Sequence, residues 1–196
     1  MKSDDNTIRQ IFYRARRNVE AGLFLSLSIL FSFIKILQLP TGGTVSIAAM
    51  PILIFSLRYG TLSGIGLGIL AGFTNFLQTP VLVNVSSFTL VTAQVFLDYL
   101  APALLLAFVG IFGKKSIIQI ISGLFFVYCL KFVSHVSSGY LFFAHYAPEG
   151  WNPLSYSIIY NSSYLVPEFF LLAVLFFFIK KDYAFILNRD SVYFSD

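Results

Sequence analysis

Long, nearly uncharged apolar runs recur along this 196-residue chain and restrict its fold more than any other feature. A backbone in lipid must satisfy its own hydrogen bonds, so only helices and closed barrels cross a bilayer. The runs have helical length and lack the alternation of barrel strands. The composition, 57% hydrophobic and 11% charged, lies outside the range of soluble proteins. We therefore predict an all-α integral membrane protein.

Six of these runs are predicted to form transmembrane helices. They cover roughly residues 20–38, 45–58, 61–78, 88–112, 116–144 and 155–180. The second run is short and contains Pro51, which favours a tilted, irregular or partly re-entrant segment. The chain then divides into a basic N-terminal segment (1–18), a six-helix membrane domain (19–181) and a C-terminal tail (182–196).

Lysine and arginine residues predict how the helices are oriented. Of the 13 such residues, 11 fall on one side of a path with six crossings. They are Lys2, Arg9, Arg14, Arg16, Arg17, Arg58, Lys114, Lys115, Lys180, Lys181 and Arg189. Because cytoplasmic segments retain positive residues, both termini are predicted to be cytoplasmic, and loops 39–44, 79–87 and 145–154 to face outside. Cations dispersed along one membrane side also argue against nucleic-acid binding, which uses a concentrated basic surface.

Sequence motifs for catalysis and metal binding are missing from the chain. The stretch GIFGKKS, residues 110–116, has two residues between its glycines, whereas a phosphate-binding loop has four. Cys129 is the single cysteine, and His135 and His145 are ten residues apart, which makes a poor metal site. We expect no enzymatic activity, no ATP hydrolysis by the chain itself, no cofactor and no metal.

Five ionisable side chains fall within the predicted spans. Lys35 lies about 5 Å from the outer end of its helix, so its long stem is expected to carry the ammonium to water. Lys131 and Glu168 both lie roughly 20 Å below the outer ends of their helices and are predicted to pair. Asp98 and His135 share a higher level, about 15 Å deep. Asp98 is then a surplus acidic side chain. It is either protonated, and therefore neutral, or its negative charge is offset by a cationic ligand.

Helical periodicity places polar and aromatic side chains of three predicted helices around a shared cavity. They are Ser87, Gln94 and Asp98, then His135, Gly139, Phe142 and Phe143, and finally Tyr160, Asn161, Tyr164 and Glu168. The stretch 145–168 holds more tyrosines than an interfacial aromatic belt requires. An aromatic rim around one anion suits a flat, cationic ring compound, which can stack and form cation–π contacts.

Small residues mark two of the predicted helices. Glycines recur at every fourth position from Gly60 to Gly72, so a neighbouring backbone can approach this side of the third helix closely. Packing within the protein is the favoured interpretation, and a contact with another subunit is the alternative. Gly22 and Ser26 form a similar small-residue pair in the first helix, where we expect a partner subunit to bind.

Three segments carry a family resemblance. They read SLRYGTLSGIGLGILAG, LDYLAPALLLAFVG and KFVSHVSSGYLFFAHYAPEGWNPLSYSIIYNSSYLVPE, within residues 45–170. These segments resemble the thiamine-specific substrate-binding subunits, or S components, of energy-coupling factor transporters. The resemblance implies an S-component-like six-helix bundle in the bacterial plasma membrane. It further implies high-affinity capture of thiamine from outside, and one transmembrane coupling subunit and two ATPase subunits as partners.

The resemblance also implies a set of ligand-binding residues. They are Asp98, Tyr99, His135, Phe143, Tyr156 and Asn161. Asp98 takes the position of the family's acid that contacts the vitamin, and His135 that of the histidine against the ligand rings. Phe143 stands where the family usually has a stacking tryptophan. Tyr156 and Asn161 match the polar contacts of the sixth helix.

Thiamine agrees with the surplus negative charge derived from the residues, because its flat thiazolium carries one fixed positive charge. Two alternatives stay open. The first is an S component for a thiamine precursor or another vitamin. The second is a proton-coupled small-molecule carrier in which Asp98 and His135 relay protons.

Overall fold

The computed structural model describes residues 2–83, 87–112 and 116–179, with side chains from residue 6 onward. These ranges are almost entirely helical, as predicted. The helices are α1 (Lys2–Ser32), α2 (Ala49–Tyr59), α3 (Thr61–Gln78), α4 (Phe88–Ile111), α5 (Ile117–Phe142) and α6 (Pro153–Phe178). A short 3₁₀ turn, Ala144–Tyr146, follows α5. The predicted tail and the cations Lys114, Lys115, Lys180, Lys181 and Arg189 lie outside the described residues.

Three helices in the described ranges, α4, α5 and α6, are long and apolar enough to cross a membrane. By contrast, α2 has only 11 residues, or about 16 Å, which is less than the thickness of a bilayer's hydrocarbon core. Its backbone is regular, so the irregular segment expected around Pro51 is not formed. The ring lies in the first turn, where a missing N–H breaks no helical hydrogen bond.

The first helix differs at both ends from its predicted span. It begins at Lys2 and ends at Ser32, and a small antiparallel hairpin follows, in which β1 (Leu37–Gln38) pairs with β2 (Thr44–Val45). The turn of this hairpin contains Gly42 and Gly43, both at positive φ, which other residues rarely adopt. Lys35 therefore lies on an exposed connection, and its predicted place within a helix was wrong.

The helices enclose an apolar core, and most of the residues of α2 are buried. Leu53 from α2, Leu124 from α5 and Leu172 from α6 are fully buried in it. The glycines of α3 face α4, where a Cβ added at Gly68 would lie 2.7 Å from the carbonyl oxygen of Ala103. Gly64, Gly68 and Gly72 thus pack within the protein, as the favoured interpretation predicted, whereas a Cβ added at Gly60 would meet no atom within 4 Å. The alternative, a contact with another subunit, stays a prediction.

One turn of α4 is a π-helix, Phe96–Leu100, with Asp98 and Tyr99 at its centre. The N–H of Ala101 donates to the carbonyl of Phe96. Pro102 has no N–H to offer Leu97, and the Leu97 carbonyl instead accepts a hydrogen bond of 2.8 Å from the Ser134 hydroxyl. The widened turn is therefore supported by a proline that follows it and by a side chain of α5.

An ion-pair cluster joins α1 to the C-terminal end of α2. Glu20 Oε1 accepts a hydrogen bond from Arg16 Nε at 2.8 Å, and Glu20 Oε2 lies 3.0 Å from Arg58 Nε. Arg16 and Arg58 thus lie at the same end of the bundle. The sequence predicted that both cations lie on the same side of the membrane. It did not predict that they share Glu20 as a partner, because this pairing depends on how the two helices pack.

Candidate ligand-binding cavity

A cavity of about 320 Å³ opens between the hairpin, the α3–α4 connection and helices α4, α5 and α6. This volume is at the lower end of those that hold small organic ligands. All six residues predicted to bind ligand line this cavity. They are Asp98, Tyr99, His135, Phe143, Tyr156 and Asn161. Their convergence agrees with a shared site, while the contact of each with a ligand stays a prediction.

The floor of the cavity is an ion pair. Lys131 Nζ lies 2.6 Å from Glu168 Oε2, and the two side chains are 12% and 5% exposed. The Lys131 ammonium also lies 5.0 Å from the centre of the Tyr128 ring, within the range of a cation–π contact. The predicted pairing of Lys131 with Glu168 is confirmed. Their charges offset each other, so the floor carries no net charge.

Asp98 and His135 form a second level above this floor. His135 Nδ1 lies 3.8 Å from Asp98 Oδ1, which confirms that the two residues share a depth in the bundle. Lys35 also lines the cavity, yet the described part of the chain contains no ion pair between Asp98 and a lysine or arginine. Asp98 therefore lines the cavity as a carboxyl group that no lysine or arginine of these residues pairs with.

The wall formed by α6 is held by a buried hydrogen-bond network. The Tyr164 hydroxyl donates to Asn161 Oδ1 at 2.6 Å, and Asn161 Nδ2 donates to the Ser157 carbonyl at 2.8 Å. The edge of the Tyr164 ring packs against His135, with 6.0 Å between ring centres. Gly139 allows this approach of α5 and α6, because an added Cβ would collide with Ser157 Oγ. The Asn161 amide is thus oriented before any ligand arrives.

Two aromatic pairs lie toward the mouth of the cavity. Phe143 stacks on Tyr146 with 6.1 Å between ring centres and 29° between planes. Tyr156 packs beside Tyr160 at 5.9 Å. Tyr146 and Tyr160 line the cavity but were not predicted as ligand-binding residues. Tyr146 adds aromatic surface beside Phe143.

The hairpin between α1 and α2 is bonded to α6 across the mouth. Thr41 Oγ1 donates to the Tyr160 hydroxyl at 2.6 Å, and that hydroxyl donates to the Gly42 carbonyl at 2.6 Å. A Cβ added at Gly43 would lie 2.7 Å from the Tyr164 ring, so only a glycine fits there. The sequence indicated no such contact, because its partners are more than a hundred positions apart.

The segment that follows α3 is bonded to α4. The Tyr99 hydroxyl accepts a hydrogen bond from Val81 N at 2.7 Å and donates one to the Thr79 carbonyl at 2.9 Å. Gln94 Nε2 donates to the Val81 carbonyl at 3.1 Å, and Gln94 Oε1 accepts from Val83 N at 3.0 Å. These bonds fix one edge of the segment.

Three residues predicted to face the cavity do not line it, namely Ser87, Gln94 and Phe142. Phe142 is buried away from the cavity, and Gln94 points toward the segment after α3. The prediction assumed that Gln94, four residues before Asp98, shares its face of α4. The Gln94 amide is instead bonded to the backbone of Val81 and Val83 and does not line the cavity.

Comparison with known proteins decides the family. The family profile described as "Thiamine transporter protein (Thia_YuaJ)" matches residues 18–188, most of the chain. The chain belongs to the thiamine transporter family. The resemblance drawn from the sequence segments is thereby confirmed at the family level.

Individual family members support this assignment. "Thiamine transporter ThiT" of Bacillus subtilis (strain 168) is 29% identical over 178 residues, covering 81% of this chain and 86% of the relative. A solved structure of ThiT from Listeria monocytogenes has a TM-score of 0.76, covers 89% of this chain and 98% of its own, and is 19% identical. At that identity the structural match shows a shared fold.

Proposed function

We propose that this protein captures thiamine from outside the cell with high affinity. Membership of the thiamine transporter family supports thiamine as the cargo. The observation that carries the proposal is Asp98, an anion lining a cavity of about 320 Å³ without a lysine or arginine partner in the described ranges. A thiazolium ring would supply the missing positive charge.

The cavity residues divide the recognition of thiamine between them in this proposal. Asp98 attracts the thiazolium, and His135 packs against the ligand rings. Phe143, stacked on Tyr146, provides a flat aromatic surface. Tyr156 and Asn161 offer polar groups to the aminopyrimidine, which both donates and accepts hydrogen bonds. Tyr99 shapes the wall beside Asp98, since its hydroxyl is bonded to Thr79 and Val81.

Transport would require partners, because the sequence contains no nucleotide-binding motif. We assign the protein as the S component of an energy-coupling factor transporter, with one transmembrane coupling subunit and two ATPase subunits. Its setting would be a bacterial plasma membrane, with six spans and both termini in the cytoplasm. The position of Arg16 and Arg58 at one end of the bundle agrees with this orientation.

The proposed surface for the coupling subunit is the outward face of α1. Gly22 and Ser26 are exposed there, and a Cβ added at Gly22 would have no atom within 4 Å. Small residues on a membrane helix allow another helix to approach closely. Gly68 and Gly72 of α3 are not available for this contact, because they pack against α4.

A binding titration tests the first half of the proposal. Purified protein is titrated with thiamine, and we expect saturable binding with a dissociation constant well below micromolar. Competition with the separate pyrimidine and thiazole halves of thiamine distinguishes the whole vitamin from a precursor, because only the whole molecule uses both sets of contacts. Absence of saturable binding at micromolar thiamine would reject the assignment.

The proximity of Asp98 and His135 also supports an alternative function, that of a proton-coupled carrier. Two titratable side chains 3.8 Å apart in a cavity are also what a proton-coupled carrier would use. Vesicles containing this protein alone decide between the functions. Thiamine uptake driven by a pH gradient without ATPase subunits would favour the carrier, and uptake that requires the ATPases would favour the S component.

A further inference from the structure

The segment 79–83 runs between α3 and α4 without helix or strand of its own. Four polar backbone groups on one of its edges are bonded in order along the chain. They are the Thr79 carbonyl, the Val81 N–H, the Val81 carbonyl and the Val83 N–H. In a β-sheet a neighbouring strand would satisfy such an edge. Here the hydroxyl of Tyr99 and the amide of Gln94 take the place of that strand.

Gln94 is suited to this role because its side-chain amide resembles a peptide group. It carries one acceptor and two donors, and it uses them on two backbone groups of the segment. Its side chain is 0% exposed, so water cannot replace either hydrogen bond. Removing the amide would leave the Val81 carbonyl and the Val83 N–H without these part-buried hydrogen bonds.

The same segment forms part of the cavity wall. Thr79 and Val81 line the cavity, as does Tyr99, the second residue that holds them, whereas Gln94 does not. Any effect of Gln94 on a ligand must therefore pass through the position of the segment. The neighbour of Tyr99 is Asp98, so this wall lies beside the anion to which we assign the thiazolium.

We propose that Gln94 is a positioning residue that holds segment 79–83 as a wall of the cavity and thereby slows the release of ligand. The proposal rests on the proposed function for the identity of the ligand, thiamine. A loosened wall opens a path of escape, while the first encounter of ligand and protein depends little on it. The dissociation rate should therefore respond more than the association rate.

Gln94→Met tests the proposal, because methionine has a similar length and volume but cannot form either hydrogen bond. We expect the thiamine dissociation rate to rise by about tenfold, the consequence of losing these hydrogen bonds, and the association rate to change less than about threefold. Hydrogen exchange at the Val81 and Val83 amides of the ligand-free protein should accelerate. Gln94→Asn, which keeps the amide on a shorter stem, should give smaller changes in the same direction.

Ser56→Ala is the matched control for stability. Ser56 is also fully buried, and its hydroxyl bonds within α2 to the Ile52 carbonyl, away from the cavity. We expect a change in thermal stability without a change in thiamine dissociation. If Gln94→Met leaves dissociation unchanged although Val81 and Val83 exchange faster, the proposal is overturned. It is also overturned if neither amide exchanges faster.

Failure of the proposed function gives a different result. If the wild-type protein does not bind thiamine, the ligand part of the inference fails with it, and hydrogen exchange still reports whether Gln94 fixes the segment. If Gln94→Met cannot be purified in folded form, Gln94→Asn supplies both rates. An unchanged dissociation rate in that variant, with faster exchange at Val83, would reject the role in ligand release.

Discussion

The ammonium of Lys131 and the carboxylate of Glu168 lie 2.6 Å apart at the floor of the cavity, both largely buried. Lys131 is on α5 and Glu168 on α6, so the pair joins two helices that pack against each other in the described bundle. The two charges neutralise each other, and Asp98 is left as the acidic side chain of the cavity without a lysine or arginine partner among the described residues.

The first prediction concerns this pair. Lys131→Met should lower the free energy of unfolding by about 3–5 kcal/mol, because it leaves Glu168 buried without its partner. The double variant Lys131→Met, Glu168→Gln should recover part of the loss, since no unpaired charge remains. Unfolding of the three proteins in one detergent measures the coupling. Additive losses in the double variant would show that the pairing contributes nothing.

The second prediction concerns Asp98. Asp98→Asn keeps the shape of the side chain and removes the charge, so the affinity for thiamine should fall by about 2–4 kcal/mol, or roughly 30- to 1,000-fold. An uncharged analogue of thiamine should lose much less. Isothermal titration of both ligands gives the comparison, with Glu149→Gln in an exposed loop as the charge-matched control. An equal loss for both ligands would remove the thiazolium from the role assigned to Asp98.

The third prediction concerns the hydroxyl of Tyr160. Tyr160→Phe keeps the ring and breaks the bonds to Thr41 and Gly42, so the hairpin should detach more readily from α6. Limited proteolysis within the hairpin turn and the rate of thiamine release should both increase. Tyr140→Phe, at an exposed position on α5 outside the cavity, is the control. Proteolysis equal to that of the wild type would contradict the attachment.

The fourth prediction compares glycines on two helices. Gly68→Ala would place a Cβ 2.7 Å from backbone atoms of α4, so α3 and α4 must separate and stability should fall by about 1–3 kcal/mol. Gly22→Ala meets no atom within 4 Å and replaces a poor helix former, so stability should stay equal or rise slightly. Thermal unfolding midpoints of the two variants test the difference. Equal destabilisation would show that the stripe is not tightly packed.

The fifth prediction separates binding from transport. Gly22→Leu adds bulk to the outward face of α1 and should leave thiamine binding unchanged while reducing ATP-driven uptake with the partner subunits present. Gly66→Leu on α3 is the control, because Gly66 is also exposed with no atom within 4 Å of an added Cβ. Equal loss of uptake in both variants would contradict a specific docking role for α1.

Depth along a helix was predictable from the sequence, because each residue of a helix adds a constant rise. This is why the pairing of Lys131 with Glu168 and the shared level of Asp98 and His135 could be derived before the structure. The partner of a polar side chain was not predictable in the same way. Gln94 was assigned to the cavity face by regular periodicity, but its amide is bonded to the backbone of Val81 and Val83.

Contacts between segments that are distant along the chain could not be predicted from the sequence either. The bond between Thr41 and Tyr160 depends on where a hairpin turn meets α6, and neither local sequence carries a pattern for it. Glu20 could be recognised as a charge but not as the partner of Arg58, because this requires the crossing of α1 and α2. The family resemblance supplied the six site residues at once, whereas periodicity alone proposed Asp98, His135, Phe143 and Asn161 among others.

Pro102 has an effect beyond its own turn. A π-turn inserts a residue with little added height, so the part of α4 before it is swivelled relative to the part after it. Asp98 and Tyr99 are consecutive at that turn and both line the cavity, but the Tyr99 hydroxyl is bonded to the backbone of Thr79 and Val81. Pro102, which has no N–H to donate, thus helps to divide α4 into one surface that faces the cavity and another that supports the neighbouring segment.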